Sequence, residues 1–117
     1  MTKKAILLVA LVAILQATTI LFASMTGTRG KADRIALRDA YSQYTGKVDL
    51  RDGTGVSAVT FYYWGGDRCP GATGPTDRQI DILLSAHIHG REVSFDYNEY
   101  YSNYGVSRCW DGGIQVW

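Results

Sequence analysis

The sequence predicts a mostly β domain, a small five-stranded barrel with one capping α-helix, behind an N-terminal hydrophobic signal or anchor helix. Three observations predict it. Val48 and Leu50 alternate with Lys47, Asp49 and Arg51, and Val93, Phe95 and Tyr97 alternate with Glu92, Ser94 and Asp96, the period of two that marks half-buried strands. Between these runs, residues 76–90 carry a helix start signal, an apolar face and a terminating glycine. Ahead of both lies an apolar stretch, residues 5–23, without a charge.

At 117 residues the chain holds one domain at most. Lys3 and Lys4 followed by the apolar run Ala5–Leu15 form the charged start and short greasy centre of a secretory signal. Gln16–Thr19 then lead into a second apolar piece, Ile20–Ala23, which brings the run to 19 residues, near the ~20 that span a bilayer. Leu21-Phe22-Ala23 lacks the small residue two places before a terminal Ala, so residues 1–24 are either a cleaved leader or a retained anchor. The chain carries 12 Lys and Arg against 11 Asp and Glu, and removing Lys3 and Lys4 with a leader tips its formal charge from +1 to −1. No basic stripe of the kind nucleic acids need is visible. Cys69 and Cys109 are an even pair, which in an exported domain points to a disulfide, the alternative being two unpaired thiols.

Residues 25–45 read as a linker and a short helix, with Leu37, Ala40, Tyr41 and Tyr44 at helical spacing, and residues 46–117 as the folded domain. Lys47–Arg51 and Val56–Trp64 flank the turn residues Asp52-Gly53-Thr54-Gly55 and predict a hairpin. Gly65-Gly66-Asp67 turns into a short strand around Arg68-Cys69, and PGATGP, residues 70–75, excludes regular structure. Thr76 and Gln79 fit a capping box at the start of a helix. Its apolar positions Ile80, Leu83, Leu84 and Ile88 share one face, Ile82 and Ala86 form a second stripe suited to a subunit contact, and Gly90 ends it. After the strand 93–97, Asn98–Gly105 reads as a polar loop, and Val106–Trp110 pairs with Ile114–Trp117 across Asp111-Gly112-Gly113. Three strands, a helix and two strands are the element order of an OB-type barrel.

His87 and His89 are two residues apart, about 200° around a helix, so they cannot chelate one ion. No metal or cofactor is expected, and His87 is expected as a partly buried, hydrogen-bonded imidazole. Nothing assembles a nucleophile with its base or a working pair of carboxylates, so the expectation is a binding protein and not an enzyme. Aromatic residues in polar segments are more informative, because sugars pack flat C–H faces on rings while Asp and Asn bond their hydroxyls. Trp64 with Asp67, the run Tyr100-Tyr101-Ser102-Asn103-Tyr104, and Trp110 with Asp111 fit that description. Each has a plainer alternative: the tryptophans fill barrel ends and the tyrosines pack at a subunit contact.

Thr45-Gly46-Lys47-Val48, Leu83-Leu84-Ser85-Ala86 with Ile88 and Gly90, Val93, and Cys109 followed by Gly112-Gly113 resemble the B subunit of Shiga toxin in order and spacing over most of residues 45–117. The resemblance implies a secreted OB-fold subunit in a ring of five with helices lining the centre, binding a host-cell glycan or glycolipid and carrying a separate toxic A subunit. It matches the family's acidic loop only at Asp52 and the glycine of its late turn at Gly112. Gln43 stands where the family has its first cysteine, Pro75-Thr76-Asp77 replace its glycolipid-contacting Asn-Arg-Trp, and Ile114 replaces an aromatic residue, so the family's sugar specificity does not carry over. Two functions follow. One is a secreted or periplasmic glycan-binding homopentamer with candidate ligand residues Asp52, Trp64, Asp67, Tyr100, Tyr101, Asn103, Trp110, Asp111 and Gly112. The other is an envelope protein anchored in the inner membrane, using the barrel as an interaction or structural module.

Overall fold

A computed structural model describes residues 24–38, 42–53, 58–72 and 74–117. Of the leader or anchor expected over residues 1–24, all but Ser24 lies outside the described residues, as do Ala40 and Tyr41 of the expected short helix. Six strands and one helix follow in the order β1 (Met25–Thr26), β2 (Lys31–Leu37), β3 (Gly46–Arg51), β4 (Val59–Trp64), α1 (Asp77–Ile88), β5 (Val93–Ser102) and β6 (Gly105–Val116). The strands form one sheet in the order β1-β5-β6-β4-β3-β2. All neighbours are antiparallel except β4 and β6, which are parallel at Tyr62–Arg108 and Tyr63–Cys109. The strands at the two ends of this order are consecutive in the chain, and Gly30 between them bonds Val93 in both directions, at 2.9 and 2.7 Å.

Residues 31–37, expected as linker and helix, are therefore strand. Only Ala32 of KADRIAL is buried, so charged neighbours hide its alternation, and long-range pairing with β3 decides its state. The expected hairpin is present: β3 and β4 pair from Gly46–Trp64 to Arg51–Val59. The strand expected around Arg68-Cys69 is a single bridge, Gly65 to Cys69, closing a tight turn.

Three of the expected features after β4 take different forms. The segment Asn98–Ser102 is not loop but the outer half of β5, paired to β6 down to Ser102–Gly105. Asp111-Gly112-Gly113 is not a hairpin turn but a bulge within a continuous β6: Phe95 faces Ile114 and Tyr97 faces Trp110, so Asp96 alone opposes three residues. Gly112 has φ +100°, which other residues rarely adopt, and the Asp111 carboxylate accepts from the Gly113 amide at 2.8 Å.

Helix α1 begins as expected. The Thr76 hydroxyl accepts from the Gln79 amide at 3.3 Å and the Gln79 side chain accepts from the Thr76 amide at 2.7 Å. Gly90, at φ +64°, follows its end. Its contact arc differs from the expected one. Leu83 and Ala86 are buried and Ile80 packs against the core, while Leu84 and Ile88 are 41% and 76% exposed. These two lie about 100° and 140° around the helix from Leu83, outside the narrow arc that reaches β2 and β6. Ala86 thus belongs to the core contact, and of the expected second stripe only Ile82 faces outward. The His87 ring nitrogen Nδ1 lies 2.6 Å from the Ala32 carbonyl, tying α1 to β2, although the residue is largely exposed. His89 bonds the Ser85 carbonyl instead, so the two imidazoles diverge.

The core gathers Val48, Leu50, Tyr62, Trp64, Leu83, Val93, Phe95 and Trp110, each worth ~1.5–3 kcal/mol of apolar burial for side chains of this kind. Trp64 is walled by Gly46 and Gly74, where a side-chain carbon would overlap the indole. Cys69 and Cys109 form a disulfide with Cα atoms 5.7 Å apart, joining the segment before α1 to β6. A disulfide is compatible with an oxidising periplasmic or extracellular location. Among the described residues no helix is long and apolar enough to cross a membrane.

Candidate functional site

The β5–β6 hairpin projects its tip, Asn98–Gly105, beyond the core. Pairing with β6 holds Tyr100 opposite Ser107 and Tyr101 opposite Val106, and the Ser102 hydroxyl accepts from the Tyr104 amide at 3.1 Å to shape the turn. Beside the tip, the Gly65–Cys69 turn is fixed by two backbone bonds to the preceding loop, Asp67 N to Ser42 O at 2.8 Å and Arg68 N to Gln43 O at 2.9 Å. These two pieces border an open hollow of about 510 Å³ lined by Asp67, Tyr100, Tyr101, Ser102, Asn103 and Tyr104.

Four of the nine expected ligand residues, Asp67, Tyr100, Tyr101 and Asn103, therefore meet in one place. Tyr101 is 75% exposed and offers a free ring. The hollow combines phenol rings, a carboxylate and an amide, group types able to stack on a sugar face and bond its hydroxyls.

The other five lie elsewhere. Trp64 and Trp110 are core residues: their rings meet each other edge-on, Trp110 also packs on Phe95 at 4.7 Å, and no indole face is left for a ligand. Their apolar bulk decides their place, and the Trp110 Nε1–H is satisfied by the Gly113 carbonyl at 2.7 Å. Asp111 and Gly112 build the bulge, Asp111 also accepting from the Ser24 hydroxyl at 2.5 Å. Asp52 accepts from the Thr28 and Thr60 hydroxyls at 2.8 and 2.7 Å and borders a different hollow with Arg29, Lys31 and Arg51.

Sequence reasoning missed the surface that continues the tyrosine hollow. Because Tyr62 and Trp64 point into the core, Phe61 and Tyr63 lie on the outer face of β4. The Arg68 guanidinium carbon lies 4.7 Å from the Tyr63 ring centre and 4.9 Å from that of Tyr104, bridging the face to the hollow. Tyr44 packs on Tyr63 at 5.3 Å, and Lys47 Nζ lies 4.6 Å over Phe61 and 3.4 Å from the Asp49 carboxylate. Period-two alternation applied to residues 59–64 was the signal that places these two rings outside.

A second hollow, also of about 510 Å³, lies between α1 and the end of β6, lined by Ile82, Ser85, Ala86, His89, Arg91 and Val116. It has no Tyr, Trp or Phe side chain. Among the described residues no three His, Cys, Asp or Glu side chains cluster as metal ligands. Comparison with protein-family models, curated proteins and solved structures finds no match.

Proposed function

We propose that this chain is an exported glycan-binding subunit built on an OB-type barrel, of the kind its resemblance to the Shiga toxin B subunit implies. In this reading β1 and β2 are the two halves of one bent strand, and the Gly30–Val93 bonds close the barrel. The parallel β4–β6 pair and the helix between β4 and β5 fit the same topology. OB barrels bind oligosaccharides and oligonucleotides on the outer face of their second and third strands and on the adjoining loops. Here those strands are β3 and β4, and the Asn103-Tyr104 turn is one of those loops.

The observation that carries the proposal is the convergence of Asp67 with Tyr100, Tyr101, Asn103 and Tyr104 on that side of the barrel. The near balance of charge favours sugar over nucleic acid as the ligand. The chain acts in this reading as a ring-forming homo-oligomer, for which the exposed Ile82, Leu84 and Ile88 of α1 supply apolar contact. A glycan array tests the function: the proposal expects saturable binding that Tyr101→Ala and Asp67→Asn abolish without loss of folding, and an array blank at millimolar sites rejects it. Light scattering tests the ring, which a monomer at all workable concentrations rejects.

A further inference from the structure

We infer that the glycan is acidic, and that Arg68 is the group that recognises its charge. This rests on the carbohydrate reading above and names the ligand class of the same site.

Arg68 stands where the tyrosine hollow meets the outer face of β4, its guanidinium in contact with both the Tyr104 and the Tyr63 ring. Three other described cations have carboxylate partners: Arg29 with Glu92, Lys47 with Asp49 and Arg51 with Asp33. Arg68 has none among the described residues. Its two terminal nitrogens donate to neutral oxygens, Ser107 Oγ at 3.4 Å and Gln43 Oε1 at 3.3 Å, and its buried Nε–H has no acceptor. Charge-assisted bonds run ~2.7–2.9 Å, so this cation is held in place but poorly satisfied.

Contact with two rings and the two bonds from its terminal nitrogens hold the fork in place before any ligand arrives, which lowers the ordering cost of a bidentate contact. A carboxylate or sulfate oxygen pair is the complement of that fork. The Asp67 carboxylate in the adjoining hollow accepts sugar hydroxyls and repels an acid group seated against it, which directs the acid group to the Arg68 side. Beyond Arg68 the face continues through Tyr63 to Phe61, ring centres 6.4 Å apart. The ligand is thus an acidic oligosaccharide lying from the hollow along β4.

The test titrates the full chain with oligogalacturonate, its methyl ester and a sulfated galacto-oligosaccharide. The first two share a backbone and differ in charge. The inference expects the acid to bind at least about tenfold more tightly than the ester, the difference a charge-assisted hydrogen bond makes. Arg68→Gln should bring that ratio near one chiefly by lowering affinity for the acid, and Tyr101→Ala should weaken both. Preference for the sulfated or the carboxylated probe identifies the source of the charge, and either supports the inference. Equal binding of acid and ester, still sensitive to Tyr101→Ala, overturns the acidic ligand and leaves the glycan reading standing. Absence of binding to every saccharide overturns both. Should Arg68→Gln unfold, the wild-type ratio decides: a ratio that shrinks with added salt supports the inference, and one indifferent to salt overturns it.

Discussion

The indole of Trp110 meets that of Trp64 edge-on, with ring centres 5.6 Å apart and an interplanar angle of 71°. This contact puts two of the most conspicuous aromatic residues at the centre of the core, with Phe95 against Trp110. Trp110→Ala should therefore lower stability by ~3–5 kcal/mol, the range for aromatic truncation in a core. Tyr101→Ala, at an exposed ring, should change it by less than ~0.5 kcal/mol. Urea denaturation of the two variants measures both, and a reversed order would move the core away from Trp110.

The Cys69–Cys109 bond closes a chain separation of 40 residues and anchors the turn that presents Asp67 and Arg68. Its removal should cost ~2–4 kcal/mol in the chain-entropy account. Denaturation of the Cys69→Ser/Cys109→Ser double variant checks this, and the Asp67–Tyr104 hollow should lose ligand affinity in parallel.

Gln79 couples two distant pieces of chain. Its side-chain oxygen accepts the Thr76 amide that starts α1, and a Cβ added at Gly112 would meet that same oxygen at 2.5 Å. Gly112→Ala should thus strain the bulge at φ +100° and disturb the helix cap together, costing ~1–3 kcal/mol for the backbone alone. A double-mutant cycle with Gln79→Ala should be non-additive by more than ~0.5 kcal/mol. Additivity would show that the cap and the bulge are independent.

Burial pushes the Tyr62 phenol above its ordinary value of 10.0, against the opposing hydrogen bond and charge of Arg108. The folded state then holds the phenolic proton more tightly than the unfolded chain. The stability this contributes is complete below pH 10 and is lost as pH rises from there through the folded value. Denaturation midpoints between pH 8 and 11 should fall at the alkaline end, and Tyr62→Phe should flatten that part of the profile.

Local signals in the sequence carried the parts of the fold that local chemistry decides. Thr76 and Gln79 announce the cap, Gly90 the stop, Val93 to Tyr97 a strand, and the turn residues after Arg51 the β3–β4 hairpin. What long-range pairing decides was hidden. KADRIAL buries one residue and owes its strand to β3, and Asp111-Gly112-Gly113 has turn chemistry yet opposes Asp96 inside a strand. The hairpin tip is polar because it projects from the core, and polarity there imitates a loop. For the site, residue type alone could not separate Trp64 and Trp110 from Tyr101, since all are aromatic beside polar neighbours. Burial separates them: the two tryptophans are 5% and 0% exposed and the tyrosine 75%.

The most direct measurement of the proposed site is a map of amide shifts during titration with a glycan that the array selects. The account predicts saturable perturbations at Asp67, Arg68 and Tyr100–Tyr104, spreading to Tyr63, with α1 unmoved. Perturbations centred on Ile82, His89 and Arg91 instead would contradict it, placing the ligand in the hollow beside the helix.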